Sequence, residues 1–205
     1  MRQKIFFTKK AAEPNVAGKR MPSFIKEEGI ICKLDSFVHQ FSQLLVKSGW
    51  NLWLHDGKVY SFSHKEPEQK KNVMAGIIGD ESPLSYLQAA ICYHELLHFT
   101  NGMGERWYVK SLVDDSFIRY LDLLGEWPFE LFSFSLNPVF FYDSLQHPVI
   151  VFYTFSNKGP DTEVIYKHIH RFDYSGYGLK WNEKLFASSK VHLSSWNRLS
   201  RDHYF

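Results

Sequence analysis

The chain is predicted to fold as an α+β protein, with N-terminal helices and a β-hairpin packed on a C-terminal antiparallel sheet. Three observations predict it. Apolar residues recur at helical spacing through the first part of the chain, Asp56-Gly57 separates two alternating runs, and beyond Pro128 short aromatic and β-branched runs are joined by turn residues. With 205 residues and no internal linker, residues 27–205 are expected to form one α+β domain. Aromatic residues reach 17%, with 18 Phe and 11 Tyr, which favours a large sheet content.

Residues 1–26 hold Arg2, Lys4, Lys9, Lys10, Lys19, Arg20 and Lys26 against a single acid, Glu13, and Pro14, Gly18 and Pro22 interrupt any helix. They read as a flexible basic arm. From Leu34 to Ser48 the positions Leu34, Phe37, Val38, Phe41, Leu44 and Leu45 keep a helical period, and Gly49 can close the end. The run "NLWLHDGKVYSFS" predicts a hairpin, because a two-residue turn demands positive φ and Asp-Gly supplies it. "HKEPEQKKN" reads as a surface loop.

Ser82 followed by Pro83 marks a helix start, and Asn101-Gly102 its stop. A further helix is expected between Glu105 and Leu124, ended by Gly125. "ELFSFSLN", "VFFYDS", "HPVIVFYTFS" and "TEVIYKHIHRF" read as strands of an antiparallel meander, and "SSWNRLSRDHYF" as a short final helix.

The helix after Ser82 carries His94, Glu95 and His98 in the order H-E-x-x-H. A four-residue step is roughly one helical turn, so it aims two imidazoles at one point, where a metal ion can be held about 2 Å from each. A carboxylate beside the first histidine can then take a proton from water. Leu87, Ile91, His94 and His98 lie on one stripe, which suits a ligand pair and suits two core histidines equally.

"CYHELLHF" resembles the active-site helix of zincin metallopeptidases, particularly the small gluzincin-like ones; the resemblance covers that one helix. It implies Zn²⁺ held by His94 and His98, Glu95 as general base, and a peptide or protein substrate. The longer metzincin pattern is excluded, because Asn101 and Gly104 stand where it has Gly and His. A third ligand has to come from elsewhere. Glu105, Asp114, Asp115, Asp122, Glu126, His168 and His170 are the candidates, with Glu126 or Asp115 favoured as carboxylates on or after a following helix.

His168 and His170, two apart on a predicted strand, share a face and could form a metal pair, or a half-buried aromatic ladder with Tyr166 and Phe172. Cys92 lies two residues before His94 and points in another direction on the helix, so the two cannot act as nucleophile and base.

A second class of function competes. The basic arm, with Lys180-Trp181 and Trp196-Asn197-Arg198, could contact phosphates and stack on bases of single-stranded nucleic acid, in a non-enzymatic binding module whose histidines are structural. A net charge of only +2 does not by itself imply such a partner. Two cysteines make no disulfide framework and favour a reducing, cytoplasmic setting. No apolar run is long enough to cross a bilayer, and the N-terminus is too short in apolar residues for a secretory signal.

Overall fold

The computed structural model describes residues 32–55, 57–99, 110–130, 134–157 and 163–188. The expected basic arm and the final helix lie outside the described residues.

The first half builds a small antiparallel sheet and a central helix. Strand β1 (Cys32–Lys33) pairs with β3 (Trp50–His55), which forms a hairpin with β4 (Lys58–Ser63), and β4 pairs in turn with β5 (Glu66–Lys71). His55 stands opposite Lys58, so the turn has the two-residue length that Asp-Gly predicts, and Gly57 has the required positive φ of 63°. The segment expected as a surface loop instead supplies β5, an edge strand whose polar residues carry no alternation to read.

The helix expected over Leu34–Ser48 is a correction. Only one turn forms, α1 (Asp35–Val38), and the chain then enters β2 (Leu44–Val46), which pairs with β6 (Ile77–Gly79). Phe37, Val38, Phe41 and Leu44 are buried all the same. Backbone groups beyond Phe41 find partners outside a helix: the Gln43 amide donates to Gln88 Oε1 at 2.8 Å, and Lys47 N–H donates to the Gly76 carbonyl at 2.8 Å.

Helix α2 (Pro83–His98) forms where Ser82 and Pro83 predict it, with Ser82 Oγ accepting from the Ser85 amide at 3.1 Å. Replacing Ser82 by Ala is expected to lower stability by about 1 kcal/mol, measured by urea unfolding. The helix is buried on more than one side: Tyr86, Ala89, Ala90, Cys92 and Leu96 belong to one cluster that joins Leu52 of the small sheet to Ile150, Phe152 and Phe172 of the large one.

The expected helix from Glu105 to Leu124 splits. Residues 101–109 lie outside the described residues, Lys110–Val113 form strand β7, and α3 (Asp115–Leu123) begins only after Asp114, whose Oδ1 accepts from the Phe117 amide at 2.7 Å. The cap places the start, and pairing of β7 with β9 takes the four residues before it. Gly125, with φ of 67°, ends α3 as expected.

The C-terminal sheet is antiparallel, as predicted. Strands β8 (Val139–Tyr142), β9 (Pro148–Asn157), β10 (Glu163–Phe172) and β11 (Leu179–Ser188) join β7 in the order β11-β10-β9-β7, with β8 also on β9. Of "ELFSFSLN", residues 134–137 are irregular and 131–133 lie outside the described residues. One face of the sheet meets α2. The other carries Tyr153, Ile165 and Ala187, which pack with Ile118 and Leu121 of α3 and with Val113, Trp127 and Leu136. Among the described residues no helix is long and apolar enough to cross a membrane.

Candidate metal centre

Directly paired residues of an antiparallel sheet share a face. Phe152, His168 and Glu183 therefore form one row across β9, β10 and β11, and Ile150, His170 and Trp181 form the next, both on the face covered by α2. Helix α2 brings His94 down onto these rows. His94 Nε2 and His170 Nε2 share a hydrogen bond of 2.8 Å, one neutral ring donating its N–H to the other, in a site where His94 is 7% exposed and His170 fully buried.

The surroundings are aromatic. The Phe152 ring lies nearly parallel to both strand histidines, 4.9 Å from His168 and 5.3 Å from His170. Trp181 meets His94 edge-on at 4.7 Å. Burial first, and then the neighbouring His170, His168 and Lys110, push the His94 pKa down to about 2. His168 is pushed to about 2 by burial, Lys110 and His170, and His170 to about 3 by burial. All three imidazoles are thus neutral near pH 7, the state in which a ring nitrogen can hold a metal. Burial pushes the Glu95 carboxyl up to about 7.

Polar groups meet His168, beside the pair. Thr154 Oγ1 lies 2.7 Å from His168 Nε2, and Glu183 Oε2 lies 3.3 Å from His168 Nδ1 without hydrogen-bond geometry. The same Glu183 oxygen accepts from Lys110 Nζ at 2.7 Å, although the Lys110 side chain is only 4% exposed. The ammonium also lies 4.6 Å from the Tyr166 ring.

The structure brings together only some of the expected ligands. His98 ends α2, and its side chain lies outside the described residues. Asp115 stands at the start of α3 on the opposite face of the sheet, where its Oδ1 accepts from the Leu136 amide at 3.0 Å. Glu126 follows α3 on that same side and is exposed. Neither carboxylate meets His94, because α3 packs across the sheet from α2 instead of beside it. His170 meets it, a residue the strand pattern had singled out for its own pairing with His168. Glu183 and Trp181 had only a faint signal, the alternation of Leu179, Trp181 and Leu185 interrupted by a charge.

Zinc–nitrogen bonds of about 2 Å at tetrahedral angles set two donors roughly 3.3 Å apart, so the His94–His170 pair needs to open by about half an ångström to share an ion. The Nδ1 of His170 is buried and has no hydrogen-bond partner among the described residues. Among those residues no group of three or more His, Cys, Asp or Glu is arranged to hold a metal. A concavity lined by Trp50, His64, Lys65 and Lys71 lies on the small sheet, and none of the three clustered histidines lines it.

Fold and site together define a mixed α+β protein, mostly sheet, with a buried histidine cluster between its central helix and its larger sheet. No protein-family model, characterised protein or solved structure matches the chain.

Proposed function

We propose that this protein is a zinc-dependent hydrolase, with His94 and His170 as ligands, His98 completing the set one turn along α2, and Glu95 as general base. The reading rests on one observation above the others: two neutral imidazoles from different elements meet through their Nε2 atoms, in a 2.8 Å hydrogen bond whose proton an ion would displace. A peptide or protein substrate follows from the zincin-like helix alone.

A bound zinc ion supplies Lewis-acid polarisation of a carbonyl and makes water more acidic. The chain's own residues do the rest. Glu95 takes a proton from the attacking water at its carboxylate and returns it to the leaving amine. Phe152 and Trp181 hold the His170 and His94 rings and keep bulk water from them. Glu183 holds the Lys110 ammonium, whose positive charge would otherwise oppose a cation beside His94.

Protein purified without chelator is expected to contain about one zinc per chain by elemental analysis, and His170→Gln to contain none while its far-UV spectrum is retained. Wild-type protein that takes up no zinc from a micromolar solution ends the proposal. The competing reading is a non-enzymatic protein- or nucleic-acid-binding module with structural histidines. It is favoured by the Thr154–His168 contact, which draws a histidine beside the pair into the packing. It predicts a metal-free chain whose His170→Gln variant is simply less stable.

A further inference from the structure

The face of the large sheet turned away from α2 is divided. One end packs against α3, through Tyr153, Ile165 and Ala187. Farther along, cross-strand pairing sets Lys167 opposite Lys184, Ile169 opposite Asn182, and Arg171 opposite Lys180. Val139 and Phe141 of β8, 52% and 44% exposed, extend the same rows through Val151 and Val149.

Two directly opposed like-charge pairs on adjacent strands are an arrangement that stability alone disfavours. Asp143 relieves one of them, since Arg171 Nε donates to its Oδ2 at 2.6 Å. Among the described residues no carboxylate pairs with Lys167, Lys180 or Lys184. Burial first, and then the neighbouring Lys184, lower the Lys167 pKa. Lys180 and Lys184 are exposed and four residues apart on β11, roughly 13 Å along the strand. That separation is too wide for one phosphate group and suits a repeating polyanion.

We infer that this sheet face, with Lys167, Lys180 and Lys184 as its cations and Phe141 as its stacking surface, binds single-stranded nucleic acid. The occupant follows from charge and shape together. The uncompensated cations call for phosphates, and a sheet face carrying an exposed aromatic ring offers a platform for unstacked bases, which a duplex does not present. The surface is separate from the histidine cluster, on the opposite side of the sheet, and is independent of whether that cluster binds zinc.

The test is fluorescence anisotropy of labelled oligothymidylate and oligouridylate with the full chain at low salt. Lys180→Gln/Lys184→Gln is expected to weaken binding about tenfold and to reduce the slope of log affinity against log salt by about 1.4. Phe141→Ala is expected to weaken it by a similar factor. Lys184→Glu gives the opposing readout: it places a carboxylate opposite Lys167, so it should raise the melting temperature by about 1–2 °C while binding is lost. The inference is overturned if the double variant binds like the wild type. It is equally overturned if neutralising the lysines and arginines of residues 1–26 in the full chain removes all binding. Attachment to phosphatidylserine vesicles without any binding of oligonucleotide would also overturn it.

Discussion

Lowering the pH from 7.5 to 5 in the presence of a chelator is expected to destabilise the protein by about 4 kcal/mol, or roughly 10 °C in melting temperature. The cause is the histidine cluster. His94 and His168 have folded-state pKa values near 2 and His170 near 3, against 6.5 for an unburied imidazole. A group whose pKa is depressed by folding contributes fully above its unfolded value, and that contribution is lost as the pH falls toward the folded value. At pH 5 the unfolded chain gains a proton on each imidazole and the folded chain does not, which favours unfolding by about 2 kcal/mol per histidine.

Glu95 works in the other direction. Its carboxyl is raised from 4.5 to about 7, so it stabilises the fold at low pH and loses that contribution as the pH rises through 7. Between pH 7.5 and 5 it returns about 2 kcal/mol of the roughly 6 kcal/mol lost at the histidines. Melting curves across this range, with His168→Gln as a second chain expected to show a shallower dependence, measure the balance. A melting temperature that stays flat from pH 7.5 to 5 would show that the cluster is not buried in its neutral form.

The Lys110–Glu183 pair is the next most consequential feature. Lys110 is nearly excluded from solvent, and the carboxylate that meets it retains 19% exposure. Lys110→Met leaves a mostly buried Glu183 without its cation and is expected to cost about 3 kcal/mol, the lower part of the range for a broken buried pair because Glu183 keeps some water. Lys110→Met/Glu183→Leu removes both charges and should recover to within about 1 kcal/mol of the wild type. Urea unfolding of the four chains of this cycle gives the coupling directly. If Lys110→Met costs no more than a surface ion pair, below about 1 kcal/mol, the ammonium is not held as the structure places it.

Some of the architecture is legible residue by residue. Ser82-Pro83 starts α2, Asp56-Gly57 sets the two-residue hairpin, and Gly125 ends α3, because in each case local backbone chemistry decides the outcome. Alternation in the stretches leading to β9 and β10 likewise marks two long strands. Elsewhere the local pattern fits two answers. Phe37, Val38, Phe41 and Leu44 are buried either along a helix or by one turn and a strand, and β2 forms because β6 is there to pair with it. Lys110–Val113 extend a helical period and are nevertheless taken into the sheet by β9. The polar edge strand β5 and the charged strand β11 offer too little alternation for their pairing to be read.

The candidate site divides in the same way. Amino-acid order alone puts His94, Glu95 and His98 on one helix and places His168 and His170 on one face of one strand, since both spacings follow from the periods of helix and sheet. The meeting of His94 with His170 across 76 positions of sequence, and the separation of Asp115 and Glu126 from it by the thickness of a sheet, were decided only when α2 and α3 packed on opposite faces. A period fixes which side chains share a face, but which faces meet depends on the burial of apolar surface summed over the whole fold.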